Sequence, residues 1–237
     1  MNFNDYLIIE SINDVGILKC IFVAGQCCAG KSYTISKLQD GQVGVRLVNT
    51  DKMVEFFTKK RGISTDWAVK GDEIKTLTKK QLVLYLNSML PLFIDGTSSN
   101  PSAVIRRQGL LESIGYQCGM VFVNASLETS IARVRKRDRK VPEELIRQSY
   151  EEVQNLLPFY KSRFSFFVEV DNNDGELTND AILKAFRKTS EFFTSPLKNP
   201  LGTKVIKEMK ANNWKYLADG IHSIEYLDKL ASVWYKK

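Results

Sequence analysis

The strongest constraint on this chain is the pattern G-x-x-x-x-G-K-[ST], which is complete from Gly25 to Ser32. An apolar run, residues 20–24, precedes the pattern, and a stretch with helical periodicity follows it. A strand that ends in a glycine-bounded loop and opens a helix directs backbone N–H groups at a phosphate chain. The sequence therefore predicts a phosphate-binding loop (P-loop) between the first strand and the first long helix.

Two side chains of this loop carry the chemistry. We expect Lys31 to reach the terminal phosphates of a nucleotide and the Ser32 hydroxyl to hold Mg²⁺. Many such loops have a further glycine where this chain has Cys28, and a left-handed residue there costs on the order of 1 kcal/mol. The other predicted nucleotide contacts are Gly25, Gln26, Cys27, Cys28, Ala29 and Gly30.

Composition places the chain in an ordinary class. Its 237 residues, 43 % hydrophobic and 26 % charged, suffice for one α/β domain with or without a small appendage. No apolar run approaches the ~20 residues of a membrane span, and the N-terminus is acidic rather than signal-like. We therefore expect an intracellular, cytoplasmic protein with no membrane contact and no obligate protein partner.

The cysteines and the single histidine exclude some chemistries. The four cysteines form no C-x-x-C pair, which disfavours a structural zinc site or a disulfide framework. His222 is the only histidine and lies far from any nucleophile signature, which disfavours a Ser-His-Asp site. The expected catalytic base is therefore a carboxylate.

Strand-like and helix-like segments alternate along the chain. This alternation predicts a five-stranded parallel sheet covered by helices on both faces, a three-layer α/β sandwich of kinase type. The predicted strands are 20–24, 45–48, 91–95, 120–123 and 166–170. Predicted helices include 4–12, one that opens at Asn49 and stops at Gly62, one from Pro142 to Leu156, and a pair at about 202–212 and 221–235.

Prolines at 196 and 200 mark a predicted boundary. Residues 1–195 are interpreted as the kinase-like domain, with a lid at about 133–157, and residues 196–237 as a small helical appendage. Ligands of open α/β sheets collect at the carboxyl ends of the strands. The P-loop, Asp51, Asp95 and the residues after Val170 all fall at that edge.

Two aspartates are candidates for catalysis. Asp51 follows the second strand, where a carboxylate faces the γ-phosphate, although an aspartate also favours the first turn of a helix through the helix dipole. Asp95 ends the third strand, where it supports Mg²⁺ through water or orients the acceptor, or else only satisfies the turn at Gly96. The residues alone leave both pairs of alternatives open.

A cluster of arginines predicts a lid over the phosphates. Arg133, Arg137 and Arg139 lie at the turn between two predicted helices, before residues 141–144. Guanidinium groups stay charged and bind phosphate oxygens in pairs, which suits a clamp on a transferring phosphoryl group. The alternative is a solvated charged face.

Five segments, in order, resemble the zeta-toxin and polynucleotide-kinase-like P-loop kinases. They are GQCCAGKS, VNTDK, FIDGT, RVRKRDRKVPEELI and the strand into VDNND, and the resemblance covers about residues 18–194. Proteins of this type are common in large bacteriophages, and one branch comprises the 5-hydroxymethyl-deoxyuridine DNA kinases.

The resemblance implies ATP and Mg²⁺ as cofactors and assigns roles by position. It makes Asp51 the catalytic base, Arg133, Arg137 and Arg139 the lid arginines, and Asp171 and Asn172 the border of the adenine site. Polynucleotide kinases often carry an arginine three residues after the base, where this chain has Val54. That departure weakens the expectation of a 5′-hydroxyl acceptor and leaves other acceptors open.

The net charge of +7 and the pI near 9.1 indicate an anionic partner. The C-terminal segment mixes lysines with aromatics such as Trp214, Tyr226 and Trp234, which either stack an unpaired base or pack the segment onto the core. We therefore expect a kinase of nucleic acid, first of hydroxymethyluracil in DNA. A 5′-end kinase, a kinase of a nucleotide sugar, a hydrolytic motor and a non-catalytic nucleotide-binding module are the alternatives.

Overall fold

The computed structural model describes residues 16–40, 42, 44–62, 72–136, 141–173, 179–211 and 221–234. Elements are numbered over these residues, so the helix predicted at 4–12 lies outside them. In chain order the elements are β1 (Lys19–Ala24), α1 (Lys31–Gln39), β2 (Arg46–Val48), α2 (Thr50–Arg61), α3 (Asp72–Asn87), β3 (Leu92–Asp95), α4 (Pro101–Glu112), β4 (Gln117–Asn124), α5 (Leu127–Arg135), α6 (Glu143–Arg163), β5 (Phe167–Asp171), α7 (Asn179–Thr194), α8 (Pro200–Ala211) and α9 (Ile224–Trp234).

The five strands form one parallel sheet in the order β2-β3-β1-β4-β5, which confirms the predicted sheet. The strand that leads into the P-loop is therefore central, with β3 and β4 as its neighbours. Because all strands run the same way, their carboxyl ends share one edge. That edge carries the P-loop after β1, Asp51 after β2 and Asp95 at the end of β3.

Alternating side chains of the central strand divide the core into two layers. Phe22 faces a cluster with Leu82 of α3, Leu111 of α4 and Tyr160 of α6. Its neighbours Ile21 and Val23 face the opposite cluster, which contains residues of α1 and α7. This period of two is the pattern of a strand buried on both faces, and it produces the three-layer sandwich.

The two C-terminal helices belong to the larger of these clusters. Val205 and Met209 of α8 and Leu227 and Trp234 of α9 are buried among residues of the sheet. Trp234 is only 2 % exposed, so it packs against the core and is not available to stack a base. Tyr226 is 42 % exposed, and Trp214 lies outside the described residues.

The predicted end of the sixth helix at Leu156 is wrong, because α6 continues through Pro158 to Arg163. A proline inside a helix costs about 3 kcal/mol through a lost hydrogen bond and a clash. The extra turns bury Tyr160 completely, and its hydroxyl donates to the Ser98 carbonyl oxygen at 2.6 Å. Burying an aromatic ring with a satisfied hydroxyl offsets that cost.

Lys19 is an unexpected buried cation at the amino end of β1. It is 2 % exposed, and its ammonium group donates to the carbonyl oxygens of Phe192, Phe193 and Ser195 at the end of α7. Burial is the main cause that lowers the pKa of Lys19 to about 8, with Lys198 adding to it. A cation at a helix C-terminus binds carbonyl groups that have no partner within the helix, so Lys19 fixes α7 to the sheet.

Among the described residues, no helix combines the length and apolar character needed to cross a lipid bilayer.

Candidate active site

Two glycines allow the P-loop to pack closely against Val123 and Asn172. Gly25 has φ 146°, and a Cβ there would lie 2.3 Å from the Val123 carbonyl oxygen. Gly30 has φ 95°, and a Cβ there would lie 2.3 Å from Nδ2 of Asn172. Between them Cys28 has φ 63°, so the position that other loops fill with glycine is left-handed here and carries strain of about 1 kcal/mol.

Asn172 and Arg133 hold the loop from below. Asn172 is 3 % exposed, and its Nδ2 donates to the Ala29 carbonyl oxygen at 2.6 Å. Nη2 of Arg133 donates to Oδ1 of Asn172 at 2.8 Å, and Nη1 donates to the Ala29 carbonyl oxygen at 3.0 Å. Two side chains from distant parts of the chain therefore donate to one carbonyl oxygen of the loop, which fixes the loop before any ligand arrives.

The loop lines a cavity of about 250 Å³. Lys31, Ser32, Asp51 and Asp95 share this cavity, so the structure brings the predicted lysine, hydroxyl and carboxylates together. Nζ of Lys31 donates to the carbonyl oxygens of Gly25 at 2.8 Å and Gln26 at 2.9 Å. These bonds hold the ammonium group across the mouth of the loop, where a phosphate oxygen would meet it.

Asn49 links the two aspartates of the cavity. Its Oδ1 accepts from the backbone N–H of Asp51 at 2.7 Å, which caps α2, and its Nδ2 donates to Oδ2 of Asp95 at 2.6 Å. Burial raises the pKa of Asp95, Lys31 opposes this, and the Asp51 carboxylate adds to it. Oδ1 of Asp95 is buried and has no hydrogen-bond partner among the described residues, whereas Asp51 is exposed to the cavity.

A second cavity of about 340 Å³ adjoins the first. Asp95, Gly96 and Thr97 line both, so the end of β3 forms the wall between them. The far side of the second cavity is formed by α4, including Arg106 and Arg107. The sequence interpretation missed these two arginines, because nothing in the local pattern distinguishes them from an exposed helix face.

Of the predicted lid arginines, only Arg133 lies within the described residues; Arg137 and Arg139 do not. Helices α5 and α6, on either side of that turn, nevertheless contact the loop. Val141 lines the phosphate cavity, and the Cys27 backbone N–H donates to Oγ of Ser149 on α6 at 3.2 Å. Arg133 of α5 and Ser149 of α6 therefore both contact the P-loop.

The lining of the first cavity fits a nucleoside triphosphate with Mg²⁺. The loop supplies a helix N-terminus and Lys31 for the phosphates. Ser32 and the unpartnered Oδ1 of Asp95 offer the oxygen ligands that Mg²⁺ requires. Mg²⁺ held there would supply positive charge that offsets the charge of the phosphates.

A model of one protein family matches residues 17–179, and its description is zeta toxin. The chain belongs to the zeta toxin family. It is a P-loop kinase, and therefore a phosphotransferase that acts on a hydroxyl group.

Solved structures agree with this fold. A kinase structure from Chloroflexus aurantiacus is similar with a TM-score of 0.53 and 19 % identity, over 76 % of this chain and 99 % of that one. The Pnkp1/Rnl/Hen1 RNA repair complex contains a similar chain, with a TM-score of 0.50 and 15 % identity, over 65 % of this chain and 48 % of that one. At these identities the likeness concerns the fold alone. Among curated proteins, none matches the chain.

The predicted adenine border divides into two different environments. Asp171 is exposed, and its Oδ1 accepts from the backbone N–H of Asn173 at 3.0 Å. Asn172 is buried under the P-loop, where it holds Ala29 and Arg133. A role for either residue at the adenine ring stays a prediction.

Proposed function

We propose that the chain transfers the γ-phosphate of ATP to a hydroxyl on a phosphate-bearing acceptor, first of all the hydroxymethyl group of hydroxymethyluracil in DNA. The observation that carries this proposal is the pair of adjoining cavities that share Asp95, Gly96 and Thr97. The first holds the elements that bind a phosphate donor, and the second opens onto the same carboxylate from the other side. Donor and acceptor would therefore meet at the end of β3.

Each residue of the donor cavity has a distinct proposed role. Lys31 stabilises charge that develops between the β- and γ-phosphates, and Ser32 with Asp95 holds Mg²⁺. Asp51 accepts the proton of the acceptor hydroxyl as the oxygen attacks the γ-phosphorus. Its exposure to the cavity suits a base that must reach an incoming substrate, whereas Asp95 is half-buried and already bound to Asn49.

The second cavity favours an anionic acceptor. Arg106 and Arg107 line it, and guanidinium groups bind phosphate oxygens in fixed, paired geometry. Arg107 is held in place, because its guanidinium lies 5.3 Å from the centre of the Trp234 ring. A phosphate next to the reacting hydroxyl, as in a polynucleotide, would match this positive wall.

A surface at α8 adds a sequence-independent attraction for nucleic acid. Lys204, Lys207 and Lys210 are exposed at helical spacing on one side of that helix. Its first turn, however, packs Gly202 against Gly115, near the amino end of β4 and opposite to the P-loop edge. The lysines would therefore contribute to general affinity for a phosphate backbone, while the arginines of the second cavity position the acceptor.

A nucleotide sugar is the second candidate acceptor. The second cavity, about 340 Å³, lies in the range of pockets for small molecules, and a nucleotide sugar also carries phosphates for Arg106 and Arg107. Family membership is compatible with both acceptors, so the acceptor has to be decided by experiment.

The test offers γ-labelled ATP and Mg²⁺ with four acceptors: hydroxymethyluracil DNA, unmodified DNA with a 5′-hydroxyl, RNA with a 5′-hydroxyl, and UDP-sugars. We expect label in hydroxymethyluracil DNA. In Asp51→Asn the rate of transfer should fall by about 10²–10⁴-fold, the usual contribution of a general base. Asp72→Asn, which removes an exposed first-turn carboxylate of α3, is the matched control.

Label only in a UDP-sugar would replace the nucleic-acid acceptor by the second candidate. Label in no acceptor, or equal rates in Asp51→Asn and in the control, would remove the proposed reaction or the proposed base.

A further inference from the structure

Two adjacent cysteines lie inside the phosphate-binding loop with their sulfur atoms in contact. The Sγ atoms of Cys27 and Cys28 are 3.6 Å apart, and both residues line the phosphate cavity together with Lys31. Both are thiols in this structure, and Cys27 is the more exposed of the two. The chain thus carries a vicinal dithiol at the place where its fold recognises phosphate.

We propose that this dithiol is a modification site at which a hydroperoxide forms a reversible Cys27–Cys28 disulfide that weakens nucleotide binding. The inference rests on the proposed function only for the identity of the ligand that is lost. The chemistry itself rests on the contact between the two sulfur atoms and on their access to the cavity.

The reaction proceeds in two balanced steps. The sulfur of Cys27 attacks one peroxide oxygen, the O–O bond breaks, an alcohol or water leaves with the thiol proton, and Cys27 becomes a sulfenic acid. The sulfur of Cys28, already in contact, then attacks the sulfenic sulfur, the S–S bond forms, and water leaves. Two electrons pass from the two thiols to the peroxide, which is the only oxidant required.

The surroundings favour this pair over the other two cysteines. Thiolate is the reactive form, and cationic groups stabilise it; Lys31 lines the same cavity. Cys20 and Cys118 also face each other, across β1 and β4, but both are buried in the core. Burial raises the pKa of Cys118 well above its usual value, with Cys20 adding to the shift, so that thiol stays protonated and inert.

Oxidation would change the loop, because neighbouring residues are poorly placed for a disulfide. Their Cα atoms are ~3.8 Å apart, below the usual 4.4–6.8 Å of disulfides, so the ring that closes is strained and easily reduced again. Cys28 packs with Ile131 of α5 and Ile146 of α6, and the Cys27 backbone N–H donates to Oγ of Ser149 on α6. Pulling the sulfur atoms together would turn the peptide between them and disturb the N–H groups that bind phosphate.

The experiment treats the full chain with hydrogen peroxide and measures two quantities. Peptide mass at the P-loop reports the loss of two hydrogens, and titration with a fluorescent ATP analogue reports affinity before oxidation, after it, and after dithiothreitol. We expect the disulfide, an affinity at least about tenfold weaker, and full recovery on reduction. Prior saturation with nucleotide should slow the oxidation, since binding and modification exclude each other.

Three variants separate this proposal from general oxidative damage. In Cys28→Ser, a sulfenic acid should persist at Cys27 and react with dimedone. The wild type should give no dimedone adduct, because Cys28 converts the sulfenic acid to the disulfide. In Cys27→Ser, no intramolecular disulfide should form at the loop. Cys118→Ala, the matched control, removes a buried thiol and should retain the full peroxide response.

An oxidised wild type that lacks the disulfide, or that carries it and binds nucleotide as tightly as the reduced form, overturns the proposal. If the reduced protein binds no nucleotide, the proposed function is wrong, and so is the control of nucleotide binding by oxidation. The peptide mass still decides whether the dithiol forms a disulfide.

Discussion

The contact between Asn172 and the P-loop makes a quantitative prediction for Asn172→Ala. The side chain is buried and makes two hydrogen bonds, one to the Ala29 carbonyl oxygen and one from the guanidinium of Arg133. Truncation removes both, and it leaves the guanidinium with its bond to the Ala29 carbonyl oxygen at 3.0 Å. The P-loop thereby loses one of its two supports.

The magnitude follows from the two bonds. A neutral hydrogen bond contributes about 1 kcal/mol to folding, and one to a charged group about 1.5–3 kcal/mol. Because Arg133 keeps other acceptors, we expect the free energy of unfolding to fall by about 2–4 kcal/mol. Nucleotide affinity should fall by about tenfold as well, since ordering a loosened loop on binding costs free energy that the wild type does not spend.

Urea unfolding and calorimetric titration with ATP measure the two effects. Asn173→Ala, an exposed neighbour, is the control and should change neither quantity. In a double-mutant cycle with Arg133→Ala, the coupling energy should reach about 0.5–3 kcal/mol. A change in unfolding free energy below ~0.5 kcal/mol with wild-type affinity would refute the assignment of Asn172 as a support of the loop.

Three further predictions concern single residues. Lys31→Ala should abolish phosphoryl transfer in a labelled-ATP assay while urea unfolding stays near wild type, because Lys31 contacts charge that develops during transfer. Gly30→Ala should abolish nucleotide binding in the same calorimetric titration, since its Cβ would lie 2.3 Å from Asn172 Nδ2. Burial lowers the pKa of His222 to about 4 in the folded protein. Below neutral pH this residue therefore binds more protons in the unfolded chain than in the folded one. The free energy of unfolding should therefore fall by up to ~3 kcal/mol between pH 7 and pH 4, and His222→Phe should flatten that profile.

Features written in short stretches of sequence were predictable. The P-loop, the five strands and the cap at Asn49 all follow from local patterns, because residue spacing fixes which face is apolar and which residue can start a helix. The convergence of Asp51 and Asp95 at one edge was predictable too, since parallel strands bring their carboxyl ends together.

Features that depend on distant contacts were not predictable. Pro158 is a local stop signal, yet α6 continues because Tyr160 finds a buried place against a loop that follows β3. The burial of Lys19 could not be predicted from its neighbours in the sequence, because the carbonyl oxygens that bind its ammonium group lie at the end of α7. The resemblance implies only that Asn172 borders the adenine site, and its contacts to Ala29 and Arg133 depend on how β5 and α5 meet the loop.

The match to the zeta toxin family ends at residue 179, yet a residue beyond it supports the wall of the second cavity, the proposed acceptor site. Trp234, on α9, holds the guanidinium of Arg107 under its ring, and Arg107 lines the second cavity. The donor side, from the P-loop to Asp95, lies wholly inside the family match. The proposed donor side therefore lies within the family match, whereas the wall of the proposed acceptor cavity is partly built by a segment beyond that match. Because Trp234 and Leu227 are also core residues, deleting 196–237 would destroy the fold before it tested the acceptor. Point changes that keep the ring buried, such as Arg107→Gln with Arg187→Gln on α7 as its exposed control, address the acceptor directly.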